Sequence, residues 1–253
     1  MKFNKTLAGV CVASMLSGAF AHDFWVNGEN GENFKAHIGY GHDFPAPEMI
    51  PENRVKLFNP LHIISKDGKK TELKQKGENY QFETAKLAAG SYVLEGTYKP
   101  TFWSKDSDGK WHMDGTRQNT KNVEYCQLAV MNAKSVISID NAKADDFIYE
   151  PIGHQIELVP LDDPFDLKVD KPFKLKAYMN GKPVKTGKVT GTFEGFLQDK
   201  HAFLGTTDLK GEIEVMALRP GKWMFEVTVE KPHDDKKVCE DAIYLGTLTL
   251  VVK

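Results

Sequence analysis

The stretch KPFKLKAYMNGKPVKTGKVTGTF, residues 171–193, decides the fold class. Phe173, Leu175, Ala177 and Met179 alternate with polar residues, a period of two that sets one face of a strand against a core. Asn180-Gly181 follows at once, a pair that favours the tight turn of a β-hairpin because both residues tolerate positive φ. Toward the C-terminus, TTDLKGEIEVMALRPGKWMFEVTVE (206–230) repeats the pattern, with Trp223, Phe225, Val227 and Val229 on one face and turns at Lys210-Gly211 and Pro220-Gly221. YLGTLTLVVK (244–253) adds a last alternating strand. Residues 166–253 are therefore expected to form a small Greek-key sandwich of the immunoglobulin-like type.

Toward the N-terminus the same grammar continues. Phe34, Ala36, Ile38 and Tyr40 alternate, and Asp67-Gly68, Ala89-Gly90 and Asp108-Gly109 punctuate the strands. Residues 22–140 read as a first β-sandwich lobe. Between the lobes, a polar run from Asp140 to Asp146 followed by Pro151, Pro160 and Pro164 reads as a linker crossing over residues 141–165. Apart from a weak stripe near 140–148, no window sustains a helical period. The expectation is an all-β chain of two sandwich lobes.

The first 21 residues stand apart. Lys2 and Lys5 precede a short apolar run from Leu7 to Leu16, and Ala19-Phe20-Ala21 fits the small-x-small rule for signal cleavage. The run is too short to span a bilayer, and no later segment reaches about 18 apolar residues, so a protein released into the periplasm with no membrane span is expected. Without Lys2 and Lys5 the basic count falls from 33 to 31 against 35 acidic residues, moving the formal charge from −2 to −4, which speaks against a nucleic-acid partner. Beyond the leader only Cys126 and Cys239 remain, an even number in an oxidising compartment, and a disulfide tying the first lobe to the last strand is expected.

Cleavage after Ala21 would make His22 the first residue, offering an α-amine and an imidazole from one position. Both are good ligands for a late first-row metal once deprotonated. In HIGYGHDFP, strand alternation turns His37 away from the face that carries Ile38 and Tyr40, leaving it open to solvent or to a site. His42 opens a loop held by Pro45, Pro47 and Pro51. Together His22, His42 and His37 are a candidate imidazole-rich site for nickel or cobalt, with copper or zinc also compatible. His62 reads as a strand residue, His154 as a linker residue and His201 as an exposed loop residue, while His112 and His233 are candidates for a distant ligand. There is no G-x-S-x-G elbow, H-E-x-x-H, C-x-x-C or phosphate-cradling loop, so neither an enzyme nor a resident organic cofactor is expected.

With those residues in view, His22-Asp23-Phe24-Trp25-Val26, Gly41-His42-Asp43-Phe44-Pro45 and the stretch from Ile156 to Val189 resemble the periplasmic components of bacterial cobalt and nickel uptake systems. Glu157, Pro160, Pro164, Gly181, Lys182 and Pro183 carry the likeness best, whereas Asp170-Lys171 departs from it where relatives often have glycine. The resemblance implies two β-sandwich lobes in the periplasm, a divalent ion as cargo, an inner-membrane nickel or cobalt transporter as partner, and roles for His22 and His42. A copper-handling protein built on a terminal histidine and a metal-free interaction module are the competing readings.

Overall fold

The computed structural model describes residues 22–198 and 200–253; the expected signal peptide and its cut lie outside them. The chain is all-β, with seventeen strands in three sheets among the described residues. β1 (Asp23–Asn30), β2 (Asn33–Gly41), β5 (Lys74–Gln75) and β6 (Gln81–Ala85) form a small sheet in the order β1-β2-β6-β5. The largest sheet draws on both halves of the chain. From the first half come β3 (His62–Ile64), β4 (Lys70–Glu72), β7 (Gly90–Asp106), β8 (Trp111–Met113) and β9 (Val123–Ile139). From the second come β13 (Lys188–Phe193), β14 (Phe203–Thr206), β16 (Gly221–Pro232) and β17 (Asp241–Val252). Its order is β14-β13-β16-β17-β9-β7-β3-β4, with β8 on β7. The third sheet joins β11 (Pro172–Met179) to β10 (Ile156–Pro160), β12 (Lys182–Pro183) and β15 (Glu212–Met216).

The two smaller sheets lie on opposite faces of the nine-stranded one, and side-chain alternation shows it. On β7, Leu94 faces the first core and Val93 the second; on β9, Met131, Ala133 and Ile137 face the first and Val136 the second; on β17, Leu245 faces the first while Leu248 and Leu250 face the second. Each sandwich thus closes its own core against a shared sheet. The halves meet where β17 runs parallel to β9, from Asp241 opposite Gln127 to Thr249 opposite Ser135. All other strand pairs among the described residues are antiparallel. The expected disulfide is present: Cys126 and Cys239, both fully buried, are joined at the start of this parallel pair across 113 residues.

The alternation of residues 171–193 is realised as read. Phe173, Leu175 and Ala177 are buried on β11, and Asn180 and Gly181 both take positive φ (50° and 72°) in the hairpin turn to β12. The stretch 141–165 holds a 3-10 turn (Asp146–Tyr149) and all of β10, whose five residues are buried. Two glycines set how closely layers approach. A Cβ on Gly39 would fall 1.8 Å from the Trp25 indole, and one on Gly246 would fall 2.9 Å from the Ile156 carbonyl oxygen, so Trp25 lies flat over β2 and β10 backs directly onto β17.

Candidate functional site

The β1–β2 ladder ends with Asp23 opposite Gly41, which sets His22 across from His42 on the face that also carries Phe24 and Tyr40. The two imidazoles are neighbours, with ring centroids 4.6 Å apart and planes inclined at 43°. The His22 ring also stacks on Tyr40 at 4.8 Å and 12°. Beneath it, Arg54 from the short helix α1 (Glu52–Val55) lies 5.8 Å over the Tyr40 ring and 5.2 Å over Trp103, and donates a long hydrogen bond of 3.4 Å to the Tyr40 hydroxyl. Burial raises the Tyr40 phenol above its ordinary range, with Arg54 opposing. The proline-bearing loop after His42 is pinned by Asn79, which donates to the Ile50 carbonyl (2.7 Å) and accepts from the Ile50 N–H (3.1 Å). Phe44 from this loop meets Trp25 edge-on at 5.6 Å.

His37 does not join this pair. It lies on the other face of β2, opposite Asn27 and Gln81 and five residues along the strand from His42, which at about 3.3 Å per residue is well beyond a shared coordination sphere. Alternation places it on the face the sequence predicts, but that face is covered rather than open. Burial and the Lys222 charge lower its pKa, partly opposed by a hydrogen bond to the Pro45 backbone, and its Nε2 is buried without a partner. On β16, burial and the charge of Asp23 push Glu226 up to about 8, with Thr228 donating to its Oε1 at 3.1 Å. Among the described residues no group of three or more His, Cys, Asp or Glu side chains stands close enough to hold a metal. The His22–His42 pair would therefore need further donors, and the α-amine of a chain beginning at His22 is the one its sequence position offers.

A second polar cluster escapes sequence reasoning. A cross-strand row puts Glu72, His62, Glu95 and Lys134 side by side on β4, β3, β7 and β9. The loop before β10 adds His154, whose Nε2 lies 2.7 Å from Glu95 Oε2, while Lys70 Nζ is 3.0 Å from Oε1 and His62 Nδ1 is 3.6 Å from it. Burial pushes the Glu95 carboxyl up, but the His154 and Lys70 hydrogen bonds and charges outweigh it and hold the group down at about 2. Next to it Lys134 and Glu157, each about 2% exposed, pair at 2.7 Å, and Glu157 also accepts from the backbone N–H groups of Ile152, Gly153 and His154. His62, Lys70, Glu95 and His154 border a pocket of about 380 Å³. The one local signal was an acidic residue inside an apolar strand, at Glu95 and at Glu157.

Comparison with solved structures returns fibronectin(III)-like modules of Clostridium thermocellum CbhA, at 12% identity, 88% of this chain, 93% of that one and a TM-score of 0.20. It also returns the D0-D1 domain of Intimin, at 12% identity, 90% of this chain, 97% of that one and a TM-score of 0.22. No curated protein matches. Residues 19–231 match the family described as Domain of unknown function (DUF4198), a span taking in the His22–His42 pair, the first sandwich and most of the second. The chain belongs to the DUF4198 family.

Proposed function

We propose that the protein binds a late first-row divalent ion, nickel or cobalt, at the end of the first small sheet and hands it to an inner-membrane transporter from the periplasm. The observation that carries this reading is the 4.6 Å approach of the His22 and His42 rings at a half-buried strand end. The resemblance of both segments to cobalt and nickel uptake components supports it. Two imidazoles and a terminal amine form a donor set suited to nickel, copper and zinc and poorly suited to magnesium or calcium. Few protein ligands leave the ion exchangeable, as a carrier requires.

Calorimetric titration of nickel, cobalt, copper and zinc tests it on three proteins: one beginning at His22, one with a single residue added before His22, and a His42→Ala variant. The expected outcome is nickel or cobalt binding by the first that weakens at least tenfold in the other two. Tight copper binding alone would favour the copper-handling reading. Absence of binding by all three would overturn the site and leave an interaction module as the better account.

A further inference from the structure

The pocket beside Glu95 lies apart from the His22–His42 pair and asks for a different ligand. At about 380 Å³ it is at the small end of ligand-binding cavities. Such cavities are lined mostly by apolar side chains, whereas every residue lining this one apart from Pro60 and Gly153 carries a polar side chain. Its walls are fixed by bonds of their own. Asn132 on β9 donates to Thr97 Oγ1 and accepts from the Ile156 N–H, both at 3.4 Å. Glu157 gathers the N–H groups of Ile152, Gly153 and His154 at 3.0, 3.0 and 3.1 Å, which holds the loop before β10 in place.

Four lining side chains combine accessible surface with unused hydrogen-bonding capacity. Those of Lys70 and His62 are 50% and 30% exposed. Lys70 has one side-chain partner, Glu95, for its three N–H donors. The nearest carboxylate oxygens to His62 are those of Glu95 at 3.6 Å and Glu72 at 3.9 Å, both beyond a hydrogen bond. Half-buried Asn59 and exposed Gln155 make no side-chain hydrogen bond among the described residues.

The charges narrow the ligand further. Lys70 Nζ and Glu95 Oε1 stand 3.0 Å apart, so an anion drawn to the first meets the second, and a cation drawn to the carboxylate meets the ammonium. Behind them the Lys134–Glu157 pair adds one charge of each sign, and Glu72 is offset when either His62 or His154 carries a proton. A hydroxyl group suits such a mixture, because it donates to an amide oxygen while accepting from an ammonium, imidazole or amide N–H.

We propose that this pocket binds a small neutral polyhydroxylated molecule, up to the size of a single sugar ring, held by Asn59, His62, Lys70 and Gln155. The paired charges of Lys70 and Glu95 exclude charged ligands, and the fixed walls spare the site the cost of ordering itself on binding.

The test titrates the metal-free protein with D-glucose, D-ribose and myo-inositol, and with D-glucosamine and D-glucuronate, which keep the glucose ring but add a charge of either sign. Each is offered up to roughly 10 mM, tenfold above a weak millimolar dissociation constant, while NMR follows the side-chain amides of Asn59 and Gln155 and the His62 imidazole. Saturable shifts at these groups are expected with at least one neutral probe, which binds at least tenfold more tightly than either charged one. The same probe should lose at least tenfold in affinity to an Asn59→Ala/Gln155→Ala variant, whose fold loses no side-chain hydrogen bond. No saturable shift with any neutral probe, a charged probe binding within tenfold of the best neutral one, or affinity unchanged in the variant would overturn the proposal. Since no metal takes part, the outcome is independent of the metal-binding reading.

Discussion

Glu95 shows what a single buried side chain can impose. Its carboxyl is held down at about 2 against 4.5 for the free group, because the His154 and Lys70 contacts outweigh burial. A depressed acid stabilises the fold fully above the unfolded pKa near 4.5 and loses that contribution as pH falls through the folded value near 2. Glu95→Gln should therefore lower stability by about 1–3 kcal/mol at pH 7, with the gap to wild type closing between pH 4.5 and 2; urea titrations along that range would read it, and a gap independent of pH would refute the ionic account. The sequence could not show this cluster, because Glu72, His62, Glu95 and His154 meet only through the register of three strands and a loop. His22 and His42 were singled out in the sequence as imidazoles, but the hairpin of β1 and β2 that sets them opposite each other was not. His37 was legible as to face but not as to burial, since the cover comes from Phe44, Pro45 and the distant strand β16.

Among the elements, β1 and β2 depend on Gly39, over which the Trp25 indole lies. Gly39→Ala forces the added carbon into that ring and should cost at least about 1–3 kcal/mol, measurable as a lower urea midpoint with an unchanged slope. Binding of metal by the His22–His42 pair should weaken in step, because the same ladder sets the two imidazoles opposite each other. Strands with one wet face, such as β11 and β15, were plain in the sequence through their alternation. β10 was hidden, since Ile156–Pro160 is buried throughout, so the period of two is lost, and Pro160 with the flanking Pro151 and Pro164 reads as linker.

For the whole molecule, the decisive feature is that both sandwiches borrow the same nine-stranded sheet. Heating should give one cooperative transition with equal calorimetric and van't Hoff enthalpies; two separated peaks would mean the lobes unfold independently. Replacing Cys126 and Cys239 by serine should lower stability by about 2–5 kcal/mol, as expected for a bridge closing a long loop, while keeping a single transition because the β9–β17 pairing remains. Two sandwiches could be read from strand patterns within each half. Their fusion could not, because it rests on pairing segments more than a hundred residues apart, for which local periodicity carries no signal.

β17 is the last strand in chain order, and it lies between β9 and β16, near the middle of the large sheet. A ribosome delivers it after both strands it must join. Until it arrives, β9 has a long raw edge and neither hydrophobic core can close. Such a chain waits for β17 before it can fold, and its rate is set by contacts of high sequence separation. During that wait the exposed edge of β9 is the place where a holding chaperone would act or where aggregation would start.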